Sequence, residues 1–196
     1  MPESTPVDAL YPAHLAAVRA RADHALQLSG QAALAIGAGL PHWQFLDDQP
    51  YPFKANPHFK AWVPVLDAPG SMLFHVPGRR PVLAFHQPED YWHEPPRLPT
   101  EDWIRHVEVV VIREPGEARK LVPPGCAYLG ETFAGLEQWG FAAVNPQALV
   151  DALHYARAAK TPYELECMRR ASRLGAAGHR AAAEAFAARA SEYEIH

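Results

Sequence analysis

The sequence predicts an α/β fold in which helices flank a mixed, mostly buried β-sheet. Short apolar runs suited to strands alternate with helical segments from the N-terminus to about Ala159. Hydrophobic residues make up 48% of the chain and aromatics 10%, enough for a packed core. The 20 prolines, roughly twice ordinary usage, fall between the apolar runs and so read as rigid loop corners.

The elements follow in order. Leu15, Val18, Ala22, Ala25 and Leu26 recur at helical spacing, which places an amphipathic helix over Pro12 to Leu28, stopped by Gly30. Ala32 to Ile36 is an apolar run bounded by glycine and reads as a buried strand. The segment Gln44 to Pro64 has neither helical nor strand period and reads as an aromatic-proline loop, with Trp62 to Leu66 as an edge strand because of Pro64. Ser71 to Val76 and Pro81 to His86 form a hairpin around PGRR. His106 to Ile112 and Ala127 to Leu129 are further strands, flanked by short helices at Glu117 to Leu121 and Thr132 to Trp139. Asn145 caps a helix that begins at Pro146 and runs to about Ala158.

The last forty or so residues differ in character. Thr161-Pro162-Tyr163-Glu164 is a capping box that opens an alanine-rich helix to about Ala188, and Ser191 to Glu194 repeats the pattern two residues before the end. So short a final helix is unstable alone, so the expectation is that the chain is a piece of something longer. The expected division is an N-terminal α/β domain over 1–159 and the first helix of a second domain over 160–196.

Composition excludes several functions. A net charge of −4 without a basic stripe argues against nucleic-acid binding. The cluster Arg169, Arg170 and Arg173 reads as the solvated face of a helix. Two cysteines, Cys126 and Cys167, are too few for a disulfide framework and fit a reducing compartment. There is no signal-peptide pattern and no apolar run of membrane-spanning length, so the expectation is a soluble, cytoplasmic protein. Gly37-Ala38-Gly39 has His42 where a dinucleotide fingerprint needs its third glycine, and GxSxG, P-loop and HExxH motifs are missing. His86, Asp90 and His93 are the best metal trio by spacing, but fit no standard ligand pattern. Cys167 reads as a helix residue facing the core and not as a nucleophile.

The pair Asp47-Asp48 leaves two readings open. Aspartates cap turns by accepting backbone amide hydrogen bonds. Alternatively, a carboxylate partly desolvated by Trp43, Phe45, Tyr51, Phe53, Phe59 and Trp62 would bind a cation such as a free α-amino group. The prolines of this loop would hold it in place and lower its ordering cost.

Longer motifs then become recognisable: LDDxPYPFKxNPxFKAW (Leu46 to Trp62), PEDYWH (Pro88 to His93) and LHYARxxKTxYELxCMRxA (Leu153 to Ala171). HRAAxEAF (His179 to Phe186) and SEYEI (Ser191 to Ile195) continue in order. The chain thereby resembles the bacterial prolidases, the Xaa-Pro dipeptidases, from about residue 7 onward. The resemblance implies an N-terminal domain of the creatinase/prolidase type followed by the start of a "pita-bread" catalytic domain. It implies a hydrolase acting on dipeptides with a C-terminal proline. Two divalent metals, typically manganese, would be held by two Asp, one His and two Glu, and a metal-bridging hydroxide would attack the peptide carbonyl. Those ligands would lie beyond His196, so this piece alone is expected to bind no metal pair and to be inactive. Relatives also hydrolyse organophosphorus compounds in the same site. The resemblance further implies a homodimer in which Asp48 lines the partner's substrate pocket. Asp47, Tyr51 and Phe53 then support the loop, and His154, Tyr155 and Arg157 serve as packing and hinge-positioning residues. In isolation the piece would be a dimerisation or substrate-gating module.

Overall fold

The computed structural model describes residues 6–91 and 94–195, so His93 of the metal trio and Trp92-His93 of PEDYWH lie outside the described residues. The chain divides into two compact units, Leu15–Ala158 and a smaller one of Met1–His14 with Ala159–His196.

The larger unit is built on a six-stranded sheet. Its strands are β1 (Ala33–Gly37), β2 (Met72–His75), β3 (Val82–His86), β4 (Glu108–Ile112), β5 (Cys126–Leu129) and β6 (Ala143–Val144). They lie in the order β4-β3-β2-β1-β5-β6. β2 runs antiparallel to both β1 and β3, whereas β4 runs parallel to β3, β5 parallel to β1 and β6 parallel to β5. The expected mixed sheet and its Met72-to-His86 hairpin are therefore present. All of β1 is buried, as a central strand covered on both faces must be.

Alternation along the strands sends successive side chains to opposite faces. Ala33, Ala35, Met72, Phe74, Ala84, Cys126 and Tyr128 share one face with Ala118 and Leu136 of two 3-10 helices, Pro115–Leu121 and Leu136–Trp139. Burial pushes the Cys126 thiol up to about 12, so it behaves as a core hydrophobe. On the opposite face lie the Leu15–Ser29 part of helix α1 (Val7–Ser29) and helix α2 (Pro57–Trp62), which reach His75 of β2 through Asp23 and Trp62. His75 of β2, wholly buried, donates from Nε2 to Asp23 Oδ1 of α1 at 2.6 Å and packs against the Trp62 ring at 4.8 Å. Burial, only partly offset by Asp23, lowers the His75 pKa, so the ring is neutral and its partnerless Nδ1 is the unprotonated nitrogen.

Several elements differ from expectation. β4 starts at Glu108 because His106 ends a 3-10 helix, the helix expected over Thr132 to Trp139 covers only Leu136–Trp139, and β6 is a strand beyond those expected. The first helix starts at Val7, leaving Pro12 inside it; one backbone hydrogen bond is lost there while Tyr11 becomes 1% exposed. No strand forms over Trp62 to Leu66, because Asn56-Pro57 starts α2 and Val63 leaves it in an extended conformation. Helix α3 (Gln147–Ala156) begins after Pro146, since Asn145 is left-handed with φ 47° and uses its amide to bridge both N and O of Gly130, each at 2.9 Å.

In the smaller unit, helix α4 (Pro162–Ala187) opens with the expected capping box: Thr161 N donates to Glu164 Oε2 at 2.7 Å, and Glu164 N to Thr161 Oγ1 at 3.3 Å. His14 Nδ1 lies 2.8 Å from the same Thr161 hydroxyl, and its ring stacks on Tyr163 at 4.7 Å. Arg169, Arg170 and Arg173 stand exposed on α4 and converge on Glu166, and the hydrogen bond from Arg173 holds that carboxyl below its usual range. Cys167 is exposed, not core-facing as the sequence implied. A short helix α5 (Glu192–Ile195) follows the second capping box.

Replacing Asp23 by Ala should leave the buried Nε2–H of His75 without an acceptor. Urea denaturation should then show a stability loss of about 1–3 kcal/mol.

Candidate functional site

The aromatic-proline loop is two ordered pieces. Residues 42–51 form a tight hairpin: Tyr51 N donates to His42 O at 2.7 Å, Gln44 N to Gln49 O at 2.9 Å, and Trp43 and Pro50 make an antiparallel bridge. A turn closes it through Asp47 N to Gln44 O at 3.2 Å. Leu46 adopts a left-handed φ of 57°, which costs a non-glycine residue roughly 1–2 kcal/mol. Asp47 Oδ1 accepts from Gln49 N at 3.0 Å, the local hydrogen bond that aspartate forms in turns. Asp48 follows it with no hydrogen bond or ion pair to any described residue.

The picture of a carboxylate walled by aromatics does not hold within this chain. Both acids are exposed, and Phe45 and Leu46 at the tip are 89% and 91% exposed. The aromatics diverge because the hairpin projects from the sheet: Trp43 and Tyr51 are exposed, Phe53 is half-buried, and only Phe59 and Trp62 enter the core, as part of α2. Tyr51 supports the hairpin through its backbone amide. The Phe53 ring lies at the base, about 3.5 Å from where a Cβ on Gly39 would stand.

The base of this segment is tied to the carboxyl end of β1. Asn56 caps α2 by accepting from His58 N at 2.9 Å, and its Nδ2 donates to Gly37 O at 3.1 Å. Its own amide donates to Ala38 O at 2.8 Å. On the hairpin side, Glu131 accepts from Leu40 N at 3.3 Å through Oε2 and pairs with His42 Nε2 at 2.7 Å through Oε1. A cavity of about 680 Å³ lies beneath the hairpin stem, lined by His42, Phe53, His58, Glu131 and His154 among others. A second groove of about 760 Å³ runs between the hairpin and the 86–97 segment, lined by Trp43, Tyr51, Phe53, Asp67 and Asp90.

His58 of α2 packs against His154 of α3. It is 8% exposed, stacks on His154 at 4.9 Å, and buries an Nε2 that has no partner. Burial first, then the charges of Arg157 and His154, push its pKa down to about 4. Sequence reading gave His154 and Arg157 packing roles but missed His58; the only signal was its place directly after the Asn56-Pro57 cap.

Of the trio His86, Asp90 and His93, which fits no standard ligand pattern in the sequence, His93 lies outside the described residues. The His86 ring lies 2.7 Å from Pro69 O through Nδ1 and 3.2 Å from Arg113 O through Nε2, so both nitrogens face backbone carbonyls. Among the described residues no group of three or more His, Cys, Asp or Glu is placed to hold a metal ion. No helix among them is long and apolar enough to cross a membrane.

The six-stranded mixed sheet with its flanking helices is a fold shared with solved structures. The fold matches the structure of Pseudomonas aeruginosa aminopeptidase PepP with a TM-score of 0.61 at 16% identity, covering 91% of this chain and 44% of that one. It also matches proline aminopeptidase P II from Yersinia pestis, with a TM-score of 0.57 at 16% identity over 89% and 45% of the two chains. At such identity the likeness is one of fold. Sequence goes further: residues 9–155 match the family of Xaa-Pro dipeptidase N-terminal domains, and the chain belongs to that family. A Xaa-Pro dipeptidase of Xanthomonas oryzae pv. oryzae is 45% identical over 193 residues, which are 97% of this chain and 43% of that protein. One from Shewanella loihica is 46% identical over 190 residues, 95% of this chain and 43% of that protein. The chain thus spans less than half the length of these curated relatives.

Stability should fall on acidification through His58. Its pKa is below the unfolded value, so between about pH 6.5 and pH 4 the unfolded chain takes up a proton that the folded ring refuses. With partial solvent access to the site, the loss between pH 7 and pH 5 should be about 1 kcal/mol. Urea titrations at both pH values should show a smaller loss in His58→Gln.

Proposed function

We propose that this chain is the N-terminal part of a longer Xaa-Pro dipeptidase, a metallopeptidase that hydrolyses dipeptides ending in proline. The observation that supports this most strongly is identity of 45% to Xaa-Pro dipeptidases along almost the whole chain. The domain serves a substrate-gating role in this reading. Asp48 stands at an exposed hairpin tip, where a second copy of the protein could receive it, and pairs with the α-ammonium of the dipeptide in that copy's pocket. The working form is accordingly a homodimer, and Asp47, bound to Gln49 N, keeps the tip in shape.

Two divalent metals, manganese by resemblance, belong to the proposed reaction. The described residues supply no cluster that fits them, so no chemical step is assigned to this chain. Its work is to orient and to select. Hydrolysis of organophosphorus compounds is a further activity of the same proposed site.

The purified 196-residue chain should show no manganese-dependent hydrolysis of Gly-Pro, by release of free proline. In the full-length protein, Asp48→Ala should raise KM for Gly-Pro about fivefold or more and weaken the preference for dipeptides, while Tm changes little. Unchanged kinetics in a normally assembled dimer would refute the substrate contact.

A further inference from the structure

We infer that Glu131 is a positioning residue for the Asp48 hairpin, acting through His42 and the Leu40 amide. The inference rests on the reading of Asp48 given above.

The backbone around Glu131 is fixed before its side chain does anything. It follows β5, where the Asn145 side chain holds both polar groups of Gly130, and the Tyr128 hydroxyl donates to Glu131 O at 2.7 Å. From this mount the carboxylate reaches a different part of the chain and grips it at two points, Leu40 N and the His42 ring. His42 is where the hairpin begins, because its carbonyl receives the Tyr51 amide. One side chain therefore links the end of β5 to the first rung of the hairpin, and both residues line the cavity under the stem.

The pair is half-exposed, with His42 at 65% and Glu131 at 47% side-chain exposure. Exposed ion pairs add little to global stability, so the consequence of this one is local. The sheet is held by its own ladder and by Asn56, and Gly70 N holds Gly39 O at 2.8 Å, whereas the hairpin projects beyond Leu40. A carboxylate with its two oxygens on Leu40 N and the His42 ring fixes the first rung of the hairpin against the end of β5. Misplacing a substrate-contacting group by about 1 Å is enough to lose much of its effect.

The test is made in the full-length protein with Gly-Pro as substrate. Glu131→Ala should raise KM about fivefold while kcat stays within about twofold, and His42→Ala should reproduce it. The double variant should be no worse than either single one, as coupled partners require. Glu131→Gln keeps an acceptor for Leu40 N and a donor for the imidazole, and should restore KM to within about twofold of the parent. Added to Asp48→Ala, Glu131→Ala should have no further effect. In the 196-residue chain, amide exchange at Gln44 and Tyr51 should speed up about tenfold in Glu131→Ala, with the amides of β1 unchanged. If Asp48→Ala raises KM but Glu131→Ala does not, the positioning role is overturned alone. If Asp48→Ala itself has no effect, the substrate contact and the positioning role fall together.

Discussion

Hydrogen bonds at the carboxyl end of β1 are the constraint on which the rest of the structure depends. β1 runs parallel to β5 and antiparallel to β2, so its carboxyl end meets the end of β5 and the start of β2. Ala38 N donates to Ser71 O at 2.9 Å and Gly70 N to Gly39 O at 2.8 Å, which ties in the chain that enters β2. Asn56 binds Gly37 O and Ala38 O, closing the long excursion that contains the hairpin. Tyr128 demands a glycine there: a Cβ on Gly37 would stand 2.5 Å from its hydroxyl. In open α/β sheets the carboxyl ends of parallel strands are where loops are free to do chemistry, and this domain places its exposed acids above such an end.

Stability and the proposed function are accordingly separated in space. The covered sheet face carries neutral histidines, His75 sealed under α1 and His58 between α2 and α3, both held uncharged by burial. The hairpin is the reverse, with little buried area and an apolar tip in water at Phe45 and Leu46. Loops set on a fixed scaffold carry function more often than core residues do.

Much of this was legible in the sequence, for identifiable reasons. The Thr161 capping box formed as written because its partners are three residues apart and need no tertiary help. The β2–β3 hairpin was legible because both strands are uniformly apolar around a turn. Asn145 looked like a cap but serves Gly130, fifteen residues away, a competition that local pattern cannot reveal. The converse occurred at Asn56-Pro57, a true cap hidden in a segment too aromatic and proline-rich to look helical. Asp47 and Asp48 were visible as a pair. Their exposure was not, because the aromatics between Trp43 and Trp62 divide between hairpin and core only once Asn56 has closed the loop.

The most direct test of the central claim is a crystal structure of the full-length protein with an unhydrolysed Xaa-Pro dipeptide analogue bound. The expected result is an Asp48 carboxylate from one subunit within about 3.5 Å of the ligand's ammonium nitrogen in the other subunit's site. An Asp48 that faces solvent, or packs against its own subunit away from the ligand, would contradict it.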